Sequence, residues 1–208
     1  MSGEQIKRPR GRPRKFDKTV ALEIALDLFR QKGFDNTSLE DLTRALDLNR
    51  PSLYAAFGNK ETLFQEVLQA YISGPSAYFH EVLNEHSCIE MVRKLLIKSI
   101  ELLFYNETPY GCLVVMSTAS EQLQKTGIQQ QLVNALQAHQ QKLVACFERA
   151  KQAGQLKHAA DPERLALYVV TLHKGLSLQA INGSSKEALL ALVDQVIELW
   201  PAATPAAS

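Results

Sequence analysis

The side chains with chemistry to offer fall into two groups. One is cationic and sits near the N-terminus: Arg8-Pro-Arg-Gly-Arg-Pro-Arg-Lys15, then Arg50-Pro-Ser52, then Lys60. Guanidinium and ammonium groups of this kind suit phosphate oxygens and the edges of bases. The other is nucleophilic and scattered: Cys88, Cys112 and Cys146, with His80, His86, His139 and His173. His80 and His86 are six apart, which does not place both on one helix face. No cysteine pair has metal-ligand spacing, and an odd number of cysteines argues against a disulfide framework. No Gly-rich phosphate loop is present. No catalytic constellation emerges, so an enzyme is the distant alternative, and neither metal nor cofactor is expected. Cys112 is one candidate for a reactive group. It follows Gly111 near an expected helix start, a setting that raises thiol reactivity, so a sensor of electrophiles or oxidants is one reading and plain core packing the other.

Charge separates the two groups further. The chain has 208 residues and a net charge of +1. Residues 1–60 carry 12 Lys or Arg against 8 Asp or Glu, and residues 61–208 carry 11 against 14. The end that suits a polyanion is the N-terminus. No apolar run approaches the ~20 residues needed to cross a bilayer, and no apolar segment follows the basic start. A cytoplasmic location without membrane partners is expected.

Residues 1–16 lack helical periodicity and are expected to form a disordered basic arm. Arg10-Gly-Arg-Pro13, followed by Arg14, resembles an AT-hook. Gly11 lets the backbone lie flat, Pro13 keeps it extended, and Arg10, Arg12 and Arg14 suit a narrow A·T-rich minor groove. The plainer reading is an arm that touches phosphates.

The elements that must position Arg50 are short helices. Asp17 caps a first helix, Ala21, Leu22, Ala25, Leu28 and Phe29 form its buried stripe, and Gly33 stops it. Thr37 with Glu40 reads as a capping box, and Leu39, Leu42 and Leu46 recur at helical spacing. Asp47 breaks the pattern. Asn49 offers another cap, Pro51 fits a first helical turn, and Leu53, Ala56 and Phe57 supply an apolar face. Two short helices joined by a tight turn predict helix-turn-helix. Such a unit sets the start of its second helix against base edges, which selects Arg50, Pro51 and Ser52. Thr37 or Ser38, and Lys60 behind the cap Asn59, lie at helix starts that suit phosphates.

These residues resemble the DNA-binding domain of the TetR family of bacterial transcription regulators. The matching pieces are Ala25-Leu-Asp-Leu-Phe-Arg-Gln-Lys-Gly-Phe34, Thr37-Ser38, Leu53-Tyr54 with Phe57, and Asn59-Lys60-Glu61 before Leu63-Phe64. One departure is Asp47, where the family usually has Gly; Asp tolerates a left-handed backbone better than most residues. The resemblance implies a phosphate contact from the Tyr54 hydroxyl and a homodimer on a double-stranded operator. It implies repression relieved by a small-molecule effector. An architectural DNA-binding protein that uses the arm alone is the alternative.

Beyond residue 60 the pattern stays helical, interrupted at Ser73-Gly-Pro75, where a kink or restart is expected and where ligand-driven motion would bend. Helices are expected over 88–105, 112–124, 128–153, 162–181 and 186–199. Their caps include Ser87 with Glu90, Asp161 before Pro162, and Ser184 with Glu187. The expectation is an all-α chain of about nine helices. It divides into a three-helix DNA-binding domain over 17–72, a helical bundle over 73–200 for effector binding and dimerisation, and a tail over 201–208. By the resemblance, the last two helices form the dimer contact. One stripe holds Leu165, Val169, Leu172 and Leu176, and the other Leu189, Leu192, Val193 and Val196. An apolar effector pocket would draw on Phe104, Tyr110, Cys112, Met116, Glu121, His139, Cys146, Tyr168 and His173.

Overall fold

The computed structural model describes residues 17–106 and 108–202. The basic arm with Arg10, Gly11, Arg12, Pro13 and Arg14 therefore lies outside the described residues. Among the described residues eleven helices run in order: α1 Lys18–Asn36, α2 Leu39–Ala45, α3 Arg50–Phe57, α4 Lys60–Ser73, α5 Tyr78–Val82, α6 Cys88–Leu103, α7 Leu113–Ser117, α8 Glu121–Gln124, α9 Gly127–Gln152, α10 Pro162–Ile181 and α11 Lys186–Glu198. Among the described residues the only extended pairing is one bridge between Leu156 and Ala202.

Two expected helices divide, which accounts for the count. Gly74 caps α4, and the chain restarts at α5 after Pro75. The single helix expected over 112–124 becomes α7 and α8. Thr118 turns its hydroxyl back onto the Val115 carbonyl, and Ser120 caps a new start by accepting from the Leu123 N–H. Short hydroxyl side chains compete for the backbone in this way and end a helix. Two caps are displaced by one residue. Ser185, not Ser184, accepts from the Ala188 N–H. Ser38, not Thr37, caps α2. The helical run of α1 breaks at Gly33, whose φ of 75° is one a side chain rarely adopts.

The apolar residues gather into two clusters. In the N-terminal one, Phe29, Phe34 and Phe64 meet edge-on or stacked, with centroids 5.1 to 5.9 Å apart. This cluster does not stop at residue 72. It takes in Cys112, Leu113, Val114, Leu123, Ile128 and Leu132, so α7, α8 and the start of α9 complete the core of the head. The boundary expected at 72 is therefore a boundary in sequence, not in packing. The second cluster joins α6, the later part of α9, α10 and α11, with Phe147 and Ile100 fully buried. Helix α9, about 39 Å long at 1.5 Å per residue, contributes to both.

Candidate nucleic-acid interface and effector cavity

The head presents α3 on a firmly fixed turn. The Ser38 hydroxyl accepts from the Asp41 N–H at 3.0 Å, and the Asp41 carboxylate accepts from the Ser38 N–H at 3.0 Å. Lys32 closes on the same carboxylate at 2.7 Å. That ammonium, with the Ser38 donors, holds the Asp41 carboxyl well below the usual carboxylate range. After α2 the backbone passes through Asp47 at φ 53°, the left-handed position that the sequence places there. Asn49 then caps α3 by accepting from the Ser52 N–H at 2.9 Å. Leu53 and Phe57 are buried, while Arg50, Pro51, Ser52 and Tyr54 face out. Among the described residues nothing pairs with the Arg50 guanidinium. Arg44 is exposed and held by Glu40 at 3.1 Å, a solvated-face pair.

Two residues expected at phosphates are occupied elsewhere. Thr37 is buried and donates its hydroxyl to the Gly33 carbonyl at 2.7 Å. Lys60 turns inward. Its ammonium donates to the carbonyls of Phe34 and Thr37 at 2.9 and 3.0 Å and to the Gln122 side chain at 3.0 Å. It also sits 4.1 Å from the centre of the Phe34 ring. The reason is geometric: the start of α4 lies at the broken end of α1, where the Phe34 carbonyl accepts from the Thr37 N–H at 3.3 Å and has capacity for the ammonium as well.

Polar links fasten this head to the bundle. Arg30 of α1 donates to the carbonyls of Leu102, Tyr110 and Gly111 at 3.1 to 3.4 Å. Asp35 accepts from Ser120 and from the N–H groups of Glu121 and Gln122. A side chain at Gly111 would meet the side chains of Ile181 and Met116 at 2.6 Å, so these would have to shift for the loop to keep its place.

Behind that loop lies a cavity of about 40 Å³, lined by Ser76, Tyr78, Phe79, Cys112, His139 and His173 among apolar residues. Three of the nine expected pocket residues are brought together here: Cys112, His139 and His173. His139 stacks on Phe79 with centroids 4.1 Å apart. Burial pushes both histidines down to about 4, helped at His139 by His80 and Lys142. Both imidazoles are thus neutral near pH 7. Cys112 precedes a helix of only five residues, so it lacks the long helix start expected of it. Its sulfur instead accepts from the Tyr71 hydroxyl at 3.6 Å.

The other six lie elsewhere. Phe104 caps α6. Tyr110 packs on Arg30, and its hydroxyl accepts from Gln31. Met116 and Tyr168 point outward, 40% and 44% exposed. Glu121 is exposed at the start of α8. Cys146 lines a separate cleft. Tyr78 and Phe79 were missed because they follow Pro75, where helical phase is lost.

The expected dimer stripes are mostly core. Val169, Leu176, Leu189, Val193 and Val196 are buried within the protomer, and Leu165 and Leu172 are half-buried. Leu192 alone among them is exposed. The uncovered apolar residues of these helices are Leu167, Tyr168, Leu178 and Ile181 of α10, with Leu192 of α11 and Leu199 just beyond it.

A fixed helix-turn-helix with a free, cation-tipped second helix, joined to a helical bundle with an internal cavity, defines a DNA-binding regulator. The model for bacterial regulatory proteins of the tetR family matches residues 21–67, and that for the tetracyclin repressor-like C-terminal domain matches residues 88–195. The HTH-type transcriptional repressor ComR of Escherichia coli is 32% identical over 203 residues, 96% of either chain. The repressor BdcR of the same organism is 31% identical over 182 residues, 87% of either chain. A cysteine-substituted form of the regulator CifR, solved with 26-bp double-strand operator DNA, superposes with a TM-score of 0.82 at 35% identity. That match covers 91% of this chain and all of CifR's. The chain belongs to the TetR family: it is a DNA-binding transcription regulator and not an enzyme.

Proposed function

We propose that the protein represses transcription as a homodimer on a palindromic operator and releases it when a small uncharged molecule fills the cavity. The exposed first turn of α3 carries this reading. Arg50 is free to donate a bidentate pair to guanine O6 and N7, with Pro51 and Ser52 beside it and Tyr54 on a phosphate. Ser38, exposed at the start of α2, offers a second phosphate position, and the arm adds minor-groove or backbone affinity. The faces that meet in the dimer are the exposed apolar residues of α10 and α11. Two-fold symmetry then doubles the bases read. The work is done in the cytoplasm, on the nucleoid while DNA is bound.

Cys112 and Val114 belong to the cavity wall and also to the core of the head. A ligand that displaces them pushes on the loop that Arg30 grips, and so on α1. The cavity's neutral histidines and apolar walls favour an uncharged ligand over a carboxylate.

The test is fluorescence anisotropy with DNA from upstream of the protein's own gene against random DNA. Arg50→Ala is expected to cost about 1–3 kcal/mol per half-site on the specific operator and far less on random DNA. Equal loss on both would remove Arg50 from base reading.

A further inference from the structure

Five side chains able to hydrogen-bond line the cavity behind the Gly111 loop: Ser76, Tyr78, Cys112, His139 and His173. Two of them are engaged by the protein. The Cys112 sulfur accepts from the Tyr71 hydroxyl at 3.6 Å. The Tyr78 hydroxyl has the buried Ser99 hydroxyl beside it. The imidazoles are placed otherwise. Among the described residues no hydrogen-bond partner meets His139 or His173, although burial holds both neutral near pH 7. A neutral imidazole has one N–H to donate and one bare nitrogen to accept. Two such rings bring donors and acceptors into one enclosed space, where leaving them unmatched is costly.

The walls are particular too. Phe79 and His139 lie face to face, with centroids 4.1 Å and planes 18° apart, and Tyr78 brings a third ring. Aromatic walls suit a flat aromatic ligand through stacked and edge contacts. The cavity measures about 40 Å³, whereas about 150 Å³ takes a benzene ring. A ring therefore enters by parting the walls, and Cys112 and Val114 among them belong to the core of the head.

We infer that the cavity takes small neutral phenols, the ring lying among Tyr78, Phe79 and His139 and the hydroxyl pairing with the imidazoles of His139 and His173. This rests on the reading of the cavity as the effector site. The hydroxyl both donates to a bare nitrogen and accepts from an N–H. A hydrocarbon ring would leave the imidazoles unmatched, an aryl ether would only accept, and a carboxylate would bring charge into an apolar enclosure.

The experiment titrates the full chain, free of DNA, with phenol, anisole, toluene and benzoate by calorimetry. The ring is constant and only the substituent changes. Phenol is expected to bind about ten-fold more tightly than anisole or toluene, with benzoate weakest. The double variant His139→Phe with His173→Phe keeps two rings and removes their hydrogen bonds, so phenol and toluene should then agree within about two-fold. Circular dichroism checks its fold, and the matched ligands on the unaltered chain decide the point if it does not fold. Operator release by the same compounds is read separately by anisotropy. Preferred binding of phenol without release would spare the ligand class and overturn the effector reading. Release by toluene as readily as by phenol would do the reverse. Equal affinity for phenol and toluene, no binding of phenol, or a preference that survives in the folded double variant overturns the inference.

Discussion

Lys60→Met separates two roles that sequence alone runs together. If Lys60 held a phosphate, its loss would weaken DNA binding and leave the free protein intact. The structure assigns it otherwise. Three hydrogen bonds from one ammonium end on Phe34, Thr37 and Gln122. Burial pushes the ammonium below its ordinary value, offset in part by Glu61 and Asp35, so the group is partly removed from water. A charge-assisted bond contributes about 1.5–3 kcal/mol when well buried. Here the Gln122 end is open to solvent, and methionine would keep the stem packed on Phe34. The freed carbonyls would also regain some water. A net loss of about 2–3 kcal/mol follows, or about 4–12 °C in Tm for a chain of this size. The assay is thermal unfolding at fixed protein concentration, since a dimer's midpoint depends on it. A salt series of operator binding accompanies it. The expected result is a lower Tm with an unchanged salt slope. An unchanged Tm with a slope shallower by about 1.8 per dimer, about 0.9 for each protomer's contact, would restore the phosphate contact and refute the structural assignment.

Other perturbations read different parts of the molecule. Leu178→Glu places a charge in the middle of the uncovered α10 face, and sedimentation should show protomers at concentrations where the unaltered chain is dimeric. Asp47→Gly relieves a left-handed non-glycine residue, worth about 1 kcal/mol less the entropy glycine adds to the unfolded chain, so a urea midpoint equal or slightly higher is expected. His139 and His173 titrate near 4 when folded and near 6.5 when unfolded. Between those values the unfolded chain binds more protons, so stability is full above about pH 6.5 and falls as pH drops toward 4. Urea midpoints at pH 7.5 and 5 should differ, and the double variant His139→Gln with His173→Gln should flatten the difference.

The head was legible because its signals are local. Asp17, Asn49 and Asn59 each announce a helix start through a side chain reaching its own next turn, Pro51 announces one by fitting a first turn, and Asp47 announces the left-handed turn by breaking an apolar repeat. Where two adjacent residues offer the same chemistry, local reading slips by one: Thr37 and Ser38 both carry hydroxyls, and only the fold at Gly33 decides that Thr37 faces inward. Lys60 illustrates the next level. Its phosphate role follows from the helix start, but its partners lie 23, 26 and 62 residues away, and one of them exists only because α8 is pinned by Asp35. The uncovered apolar face of α10 and α11 is hard to read for a related reason. A buried stripe and an interface stripe are equally apolar, so Val169 and Leu178 look alike until neighbouring helices cover one and leave the other bare. The cavity lies at the far end of this series. Its walls come from α5, α6, α7, α9 and α10, and the histidines within it gain their neutrality only from that enclosure. The same wall residues, Cys112 and Val114, close the core of the head. The link between cavity and head is therefore a shared surface rather than any motif, which is why no stretch of sequence announces it.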